Sequence, residues 1–114
     1  MISLAGTLLL AASLSLLEVP YISQSEALCG GAAAAMVLRY WGAPGVAAED
    51  FAALVDRSNG GIETAALARA VRERGYDALP ASGTVALVQR ELTRGRPVIA
   101  LIEDRPGAFH YVVV

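Results

Sequence analysis

Residues that carry chemistry are scarce in this chain: it has one cysteine and one histidine in 114 residues, and no run of like charge. A single cysteine cannot close an internal disulfide, so cysteine usage gives no redox compartment. One cysteine and one histidine, without clustered acids, do not make the ligand set of a structural zinc site, and no organic cofactor is implied either. Nine basic residues stand against 11 acidic ones for a net charge of −2. Nothing resembles the basic stripe that neutralising phosphates requires, which excludes nucleic acid as a partner. There is no internal repeat, and no low-complexity stretch beyond the alanine run of residues 32–35.

Apolar residues are what the chain does have. They make up 55% of it, but many are alanines, so the core they build is modest and the chain reads as one small domain. Residues 2–17 are uncharged and give way to Glu18 just before Val19-Pro20. That is shorter than the roughly 20 apolar residues a membrane-spanning helix needs. It suits the apolar core of an export signal or an anchor, although no Lys or Arg precedes it and no clean small-x-small cleavage site follows. The alternative is a buried helix packed on the domain. The expected organisation is an apolar segment over 1–17 and a folded domain over 18–114. The first makes membrane association through residues 2–17 an expectation, with a bacterial-type exported or membrane-associated chain the reading and a cytoplasmic one the alternative.

Tyr21 to Gln24 reads as a short extended entry. Gly30 to Trp41 is alanine-rich and helix-forming, with Met36, Val37, Tyr40 and Trp41 on one apolar face and Gly42 as its stop. Ala47 to Val55 reads as a second helix with Phe51, Leu54 and Val55 inward. Asn59-Gly60-Gly61 reads as a plain turn, with a place at the border of a cleft as the alternative. Thr64 then caps a third helix that runs through Arg74, burying Leu67, Ala70 and Val71 and ending at Gly75. Tyr76 to Leu79 fits a short strand. Thr84 is the next N-cap, with Val85, Val88 and Leu92 on one face before Gly95. Pro97–Ile102 and Ala108–Val114 are strand-like runs about the turn Asp104-Arg105-Pro106-Gly107, a hairpin. Helices first and strands last make an α+β domain. Arg39, Arg69, Arg72 and Arg74 read as solvated helix faces, and Tyr40 and Trp41 as core.

Cys29 lies where the first helix begins, and His110 lies on the last strand. A free thiol has a pKa of about 8.5, but the positive end of a helix and a neighbouring imidazolium both favour the thiolate. His110 can supply the second influence and then donate a proton to a leaving amine. A tetrahedral intermediate needs donors for its oxyanion, and the Gln24 amide and the Cys29 backbone N–H are the natural ones. Glycines at 30 and 31 let a substrate backbone approach the thiol. Each residue also has a bland reading, with Cys29 an inert buried hydrophobe and His110 a satisfied strand residue.

The order Val19-Pro20-Tyr21-Ile22-Ser23-Gln24, then Cys29-Gly30-Gly31-Ala32-Ala33-Ala34-Ala35-Met36-Val37-Leu38-Arg39-Tyr40-Trp41-Gly42, resembles the catalytic segment of the C39-like papain-fold cysteine peptidases. Gly95-Arg96-Pro97-Val98-Ile99-Ala100-Leu101-Ile102, then His110-Tyr111-Val112-Val113-Val114, is similar to that family's second signature, in which a strand carries the histidine. Gly61 to Gly75 resembles the helix between them. The resemblance covers roughly residues 19–114. It implies a papain-like fold with N-terminal helices and a C-terminal antiparallel sheet. It also implies Cys29 as nucleophile, His110 as general base and acid, and Gln24 as oxyanion-hole donor, with a peptide or protein as substrate. The family's bacteriocin-processing members cleave after a double glycine beside a transporter. This chain shows no transporter segments and looks like a stand-alone relative.

The departure is at the C-terminus, where the family places an Asp or Asn on a strand after the histidine. The chain is therefore expected to be truncated, with its triad incomplete. Glu103 or Asp104 across the hairpin is the substitute this sequence offers, without support from the family. Two rivals to hydrolysis follow: an inactive peptide-binding domain, and an acyl or peptidyl transferase on the same dyad.

Overall fold

Alanine has the highest helix propensity and glycine is the residue that best ends a helix, and this pair of preferences sets the central element. In the computed structural model, which describes residues 16–22 and 26–114, helix α1 spans Cys29–Tyr40. It follows a 3₁₀ turn over Glu26–Leu28. Its end is a Schellman motif: Gly42 has φ +97°, its N–H donates to Arg39 O at 3.0 Å, and Ala43 N–H donates to Leu38 O at 2.9 Å. Cys29 to Met36 and Leu38 are all buried. A helix covered on nearly every side is the centre of a domain, not its surface.

The remaining elements wrap α1. A 3₁₀ segment over Ala48–Leu54 replaces the second helix expected at 47–55. Val55 leaves it as β1 (Val55–Asp56), which pairs antiparallel with β2 (Gly61–Ile62). Helix α2 is Thr64–Glu73 and α3 is Val85–Thr93. Strands β3 (Ile99–Arg105) and β4 (Ala108–Val113) form the expected hairpin, antiparallel and separate from β1–β2. Backbone bonds between Val98 and Val114 continue its pairing. The domain is thus α+β, with helices and small antiparallel sheets. Tyr76 to Leu79 is not a strand. An extended segment needs a neighbour for its backbone groups, and here Arg72 Nη1 takes the Ala78 carbonyl at 2.9 Å instead.

The core joins Ala33, Ala34, Ala35 and Leu38 of α1 to Phe51, Ile62, Leu67 and Tyr111. Small side chains let these neighbours approach the helix backbone, which is why bulk at Tyr40–Trp41 is not needed inside. Trp41 is 48% exposed, edge-on to Tyr40 with centroids 5.0 Å apart. Tyr40 is half-buried, and its hydroxyl donates to Gly95 O at 2.8 Å. Three of the arginines expected on solvated faces are engaged: Arg72 with Ala78 O, Arg39 through its Nε to Val46 O at 2.8 Å, and Arg74 with its guanidinium 4.8 Å over the Phe51 ring.

The apolar N-terminal stretch lies outside the described residues as far as residue 15, as does the segment 23–25. Among the described residues no helix is long and apolar enough to cross a membrane.

Candidate active site

Cys29 is the first residue of α1, directly after the 3₁₀ turn, which sets its thiol at the positive end of the helix. It is a free cysteine, 6% exposed. It borders a cavity of about 260 Å³ between two walls. One wall is the stretch from Asn59 to Thr64, and the other is Leu101 and Phe109 of the hairpin with Tyr111 at the base. Asn59, Gly60 and Gly61, read from sequence as a plain turn, therefore border the cleft.

The turn is built by Asp56. Its carboxylate accepts from the Ser58 hydroxyl at 2.6 Å, the Ser58 N–H at 3.0 Å and the Asn59 amide at 3.1 Å. The Ser58 hydroxyl, more than the other donors, holds the Asp56 carboxyl below its ordinary pKa, because each bond favours the anion.

Tyr111 is the residue the sequence reading passed over. Its hydroxyl donates to Ile62 O at 2.8 Å. With that proton committed, the contact at 2.9 Å to Thr64 Oγ1 has Thr64 as donor. Thr64 accordingly does not cap α2. It is the first residue of that helix, and Glu63 occupies the N-cap position without a side-chain cap bond. Burial raises the Tyr111 phenol above its ordinary value, the Thr64 bond opposes this, and the charges of Cys29 and Glu63 add to the rise.

Glycines 30 and 31 have a different role from the one expected. A Cβ on Gly30 meets the Tyr111 ring at 3.0 Å, and one on Gly31 meets Ala48 O at 2.7 Å. Both are buried, and their bareness admits neighbours of the fold. The signal for this was the double glycine itself, which marks close backbone approach without saying by what.

His110 sits opposite Ile102 in the hairpin, and Tyr111 opposite Leu101. Successive side chains of a strand point to opposite faces. Leu101, Phe109 and Tyr111 take the face toward Cys29, so His110 takes the other. There its Nε2 is 3.7 Å from Asp104 Oδ2. Asp104 is the unpaired residue of an irregularity, since Glu103 pairs with Phe109 and Arg105 with Ala108. A bulge of this kind re-aims a side chain. Gln24 lies outside the described residues, so the structure gives its amide no position relative to Cys29.

Comparison with known proteins gives one positive result. A family model described as "Peptidase_C39 like family" matches residues 16–114. No curated protein matches the chain, and no solved structure does.

Proposed function

From the premise that the chain belongs to the Peptidase_C39 like family, we propose that it is a papain-like cysteine peptidase with Cys29 as nucleophile. The observation that carries the reading is the position of Cys29, at the head of α1 and at the edge of a cavity with room for a peptide side chain. In this reaction the Cys29 thiolate attacks the peptide carbonyl carbon, and the carbonyl π electrons move to oxygen. The Gln24 amide and the Cys29 N–H donate to that oxyanion. The tetrahedral intermediate collapses with loss of the amine, which takes its proton from the His110 imidazolium. Water, deprotonated by His110, then attacks the thioester carbonyl, releasing the acid and restoring the Cys29 thiolate beside the imidazolium.

The proton steps require the imidazole on the Cys29 side of the hairpin. A slip of β4 by one residue against β3 exchanges the faces of His110 and Tyr111. The same observation favours a second reading, in which the cavity holds a peptide and no bond is cut. His110 lies near Asp104 and is not among the residues that line the groove, which supports a role for the groove in binding alone. Export or membrane association through residues 2–17 is proposed alongside either reading.

The deciding experiment measures Cys29 alkylation against pH in the parent and in His110→Ala. A thiolate–imidazolium pair gives fast alkylation well below pH 8 that the substitution removes. A slow reaction that rises only near the free-thiol pKa of about 8.5, unchanged in His110→Ala, sinks the peptidase reading. Binding of peptides without cleavage then establishes the second one.

A further inference from the structure

The cavity beside Cys29 has one strongly apolar wall and, apart from the thiol and the Tyr111 phenol, one ionisable side chain among its lining residues, Glu63. The apolar wall is open to solvent: Leu101 is 48% exposed and Phe109 57%. Glu63 stands at the N-cap position of α2, yet its carboxylate caps nothing there. Among the described residues its one side-chain bond is from Asn59 Nδ2 at 3.4 Å, longer than the usual range for such a contact. Among the described residues no arginine is paired with it, and the chain contains no lysine. The α2 N-terminus favours a negative charge at this place. Such a cavity is matched to one kind of side chain. Arginine and lysine lay an aliphatic stem along apolar surface and carry a cation at the tip. The exposed Phe109 ring adds a face on which a guanidinium or ammonium is attracted.

We infer that this groove selects peptides by a cationic side chain, whose stem lies on Leu101 and Phe109 and whose charge meets Glu63. The inference rests on the proposed reading only in taking the cavity as the peptide groove, and not on the thiol chemistry. Glu63 is the specificity-determining residue and takes no part in bond cleavage.

The experiment is fluorescence anisotropy on the full chain carrying Cys29→Ala, so that no peptide is cut during binding. The probes are labelled peptides identical except for a central arginine, norleucine or glutamate. The arginine peptide should bind roughly 3- to 10-fold more tightly than the norleucine peptide at low salt, with the gap narrowing at high salt. Adding Glu63→Gln should close the gap, and Glu63→Arg should favour the glutamate peptide. Because Glu63 is exposed, these variants keep the fold, which circular dichroism checks. The control is Glu103→Gln, which removes an acid of the hairpin that does not line the cavity. Equal affinity for all the peptides, no binding of any, or closure of the gap by Glu103→Gln as well as by Glu63→Gln would each overturn the inference. Hydrolysis is scored separately on the parent. Selective binding without cleavage defeats the peptidase reading alone, and cleavage without charge preference defeats this inference alone.

Discussion

Replacing Gly31 with alanine should destabilise the domain, although helix propensity alone gives the opposite sign. In the interior of a helix, alanine is favoured over glycine by about 0.8–1 kcal/mol. At this position the added Cβ meets Ala48 O at 2.7 Å and Phe51 Cβ at 3.0 Å. The first of these is backbone, held in the 3₁₀ segment, and it cannot rotate away. Overpacking of a filled core costs typically 1–3 kcal/mol, and an immovable carbonyl places this case toward the upper end. The propensity gain offsets part of that, so the net loss is about 1–2 kcal/mol. For a domain of this size that lowers Tm by roughly 4–8 °C. Urea unfolding followed by circular dichroism reads it as a lower midpoint at unchanged slope. Gly45→Ala is the reference, because nothing lies within 4 Å of its Cβ and its φ is not positive. That change should stay within about 0.5 kcal/mol. A Gly31→Ala protein as stable as the parent or more so would refute the close approach of Ala48 to α1.

Other substitutions test the groove and its supports. Tyr111→Phe strips the Ile62 carbonyl of its side-chain donor and should cost about 1–3 kcal/mol in denaturant unfolding. The same variant tests the raised phenol pKa. Between the unfolded value of about 10 and the higher folded one, the folded state holds the extra proton, so stability falls as pH rises past about 10. Tyr111→Phe should flatten that alkaline decline, and an unchanged slope would count against the burial of the phenol. Tyr40→Phe removes the bond to Gly95 O and should cost about 0.5–1.5 kcal/mol, with no change in Cys29 alkylation.

Local chemistry made the helix ends readable. Gly42 and Gly95 stop α1 and α3 because glycine accepts their φ of +97° and +73°, and Thr84 caps α3 by accepting from Leu87 N–H at 3.1 Å. The element at 47–55 departs from the expected helix because its form depends on partners outside its own stretch, before and after it. Phe51 is drawn against Gly31, and Val55 pairs with Ile62. Cys29 at a helix head was legible for the same local reason as the caps. The face of His110 was not. Alternation says that His110 and Tyr111 point apart, but not which of them points inward. The gap above Gly30 settles that, and it accepts the Tyr111 ring. Asn59 to Gly61 carried only a turn signal, and nothing in their types announces a cleft wall.

The two walls of the groove come from hairpins that share no sheet, and among the described residues Tyr111 joins them through its hydroxyl bonds to Ile62 and Thr64. The groove is therefore a mouth closed by a clasp. A guest too thick for it cannot bend the jaws gradually, because interiors packed this closely do not stretch. It must undo the phenol first, a step whose net cost is on the order of 1 kcal/mol per bond, and lift the Tyr111 ring from its seat against Gly30. Width in such a groove changes by a click and not by degrees.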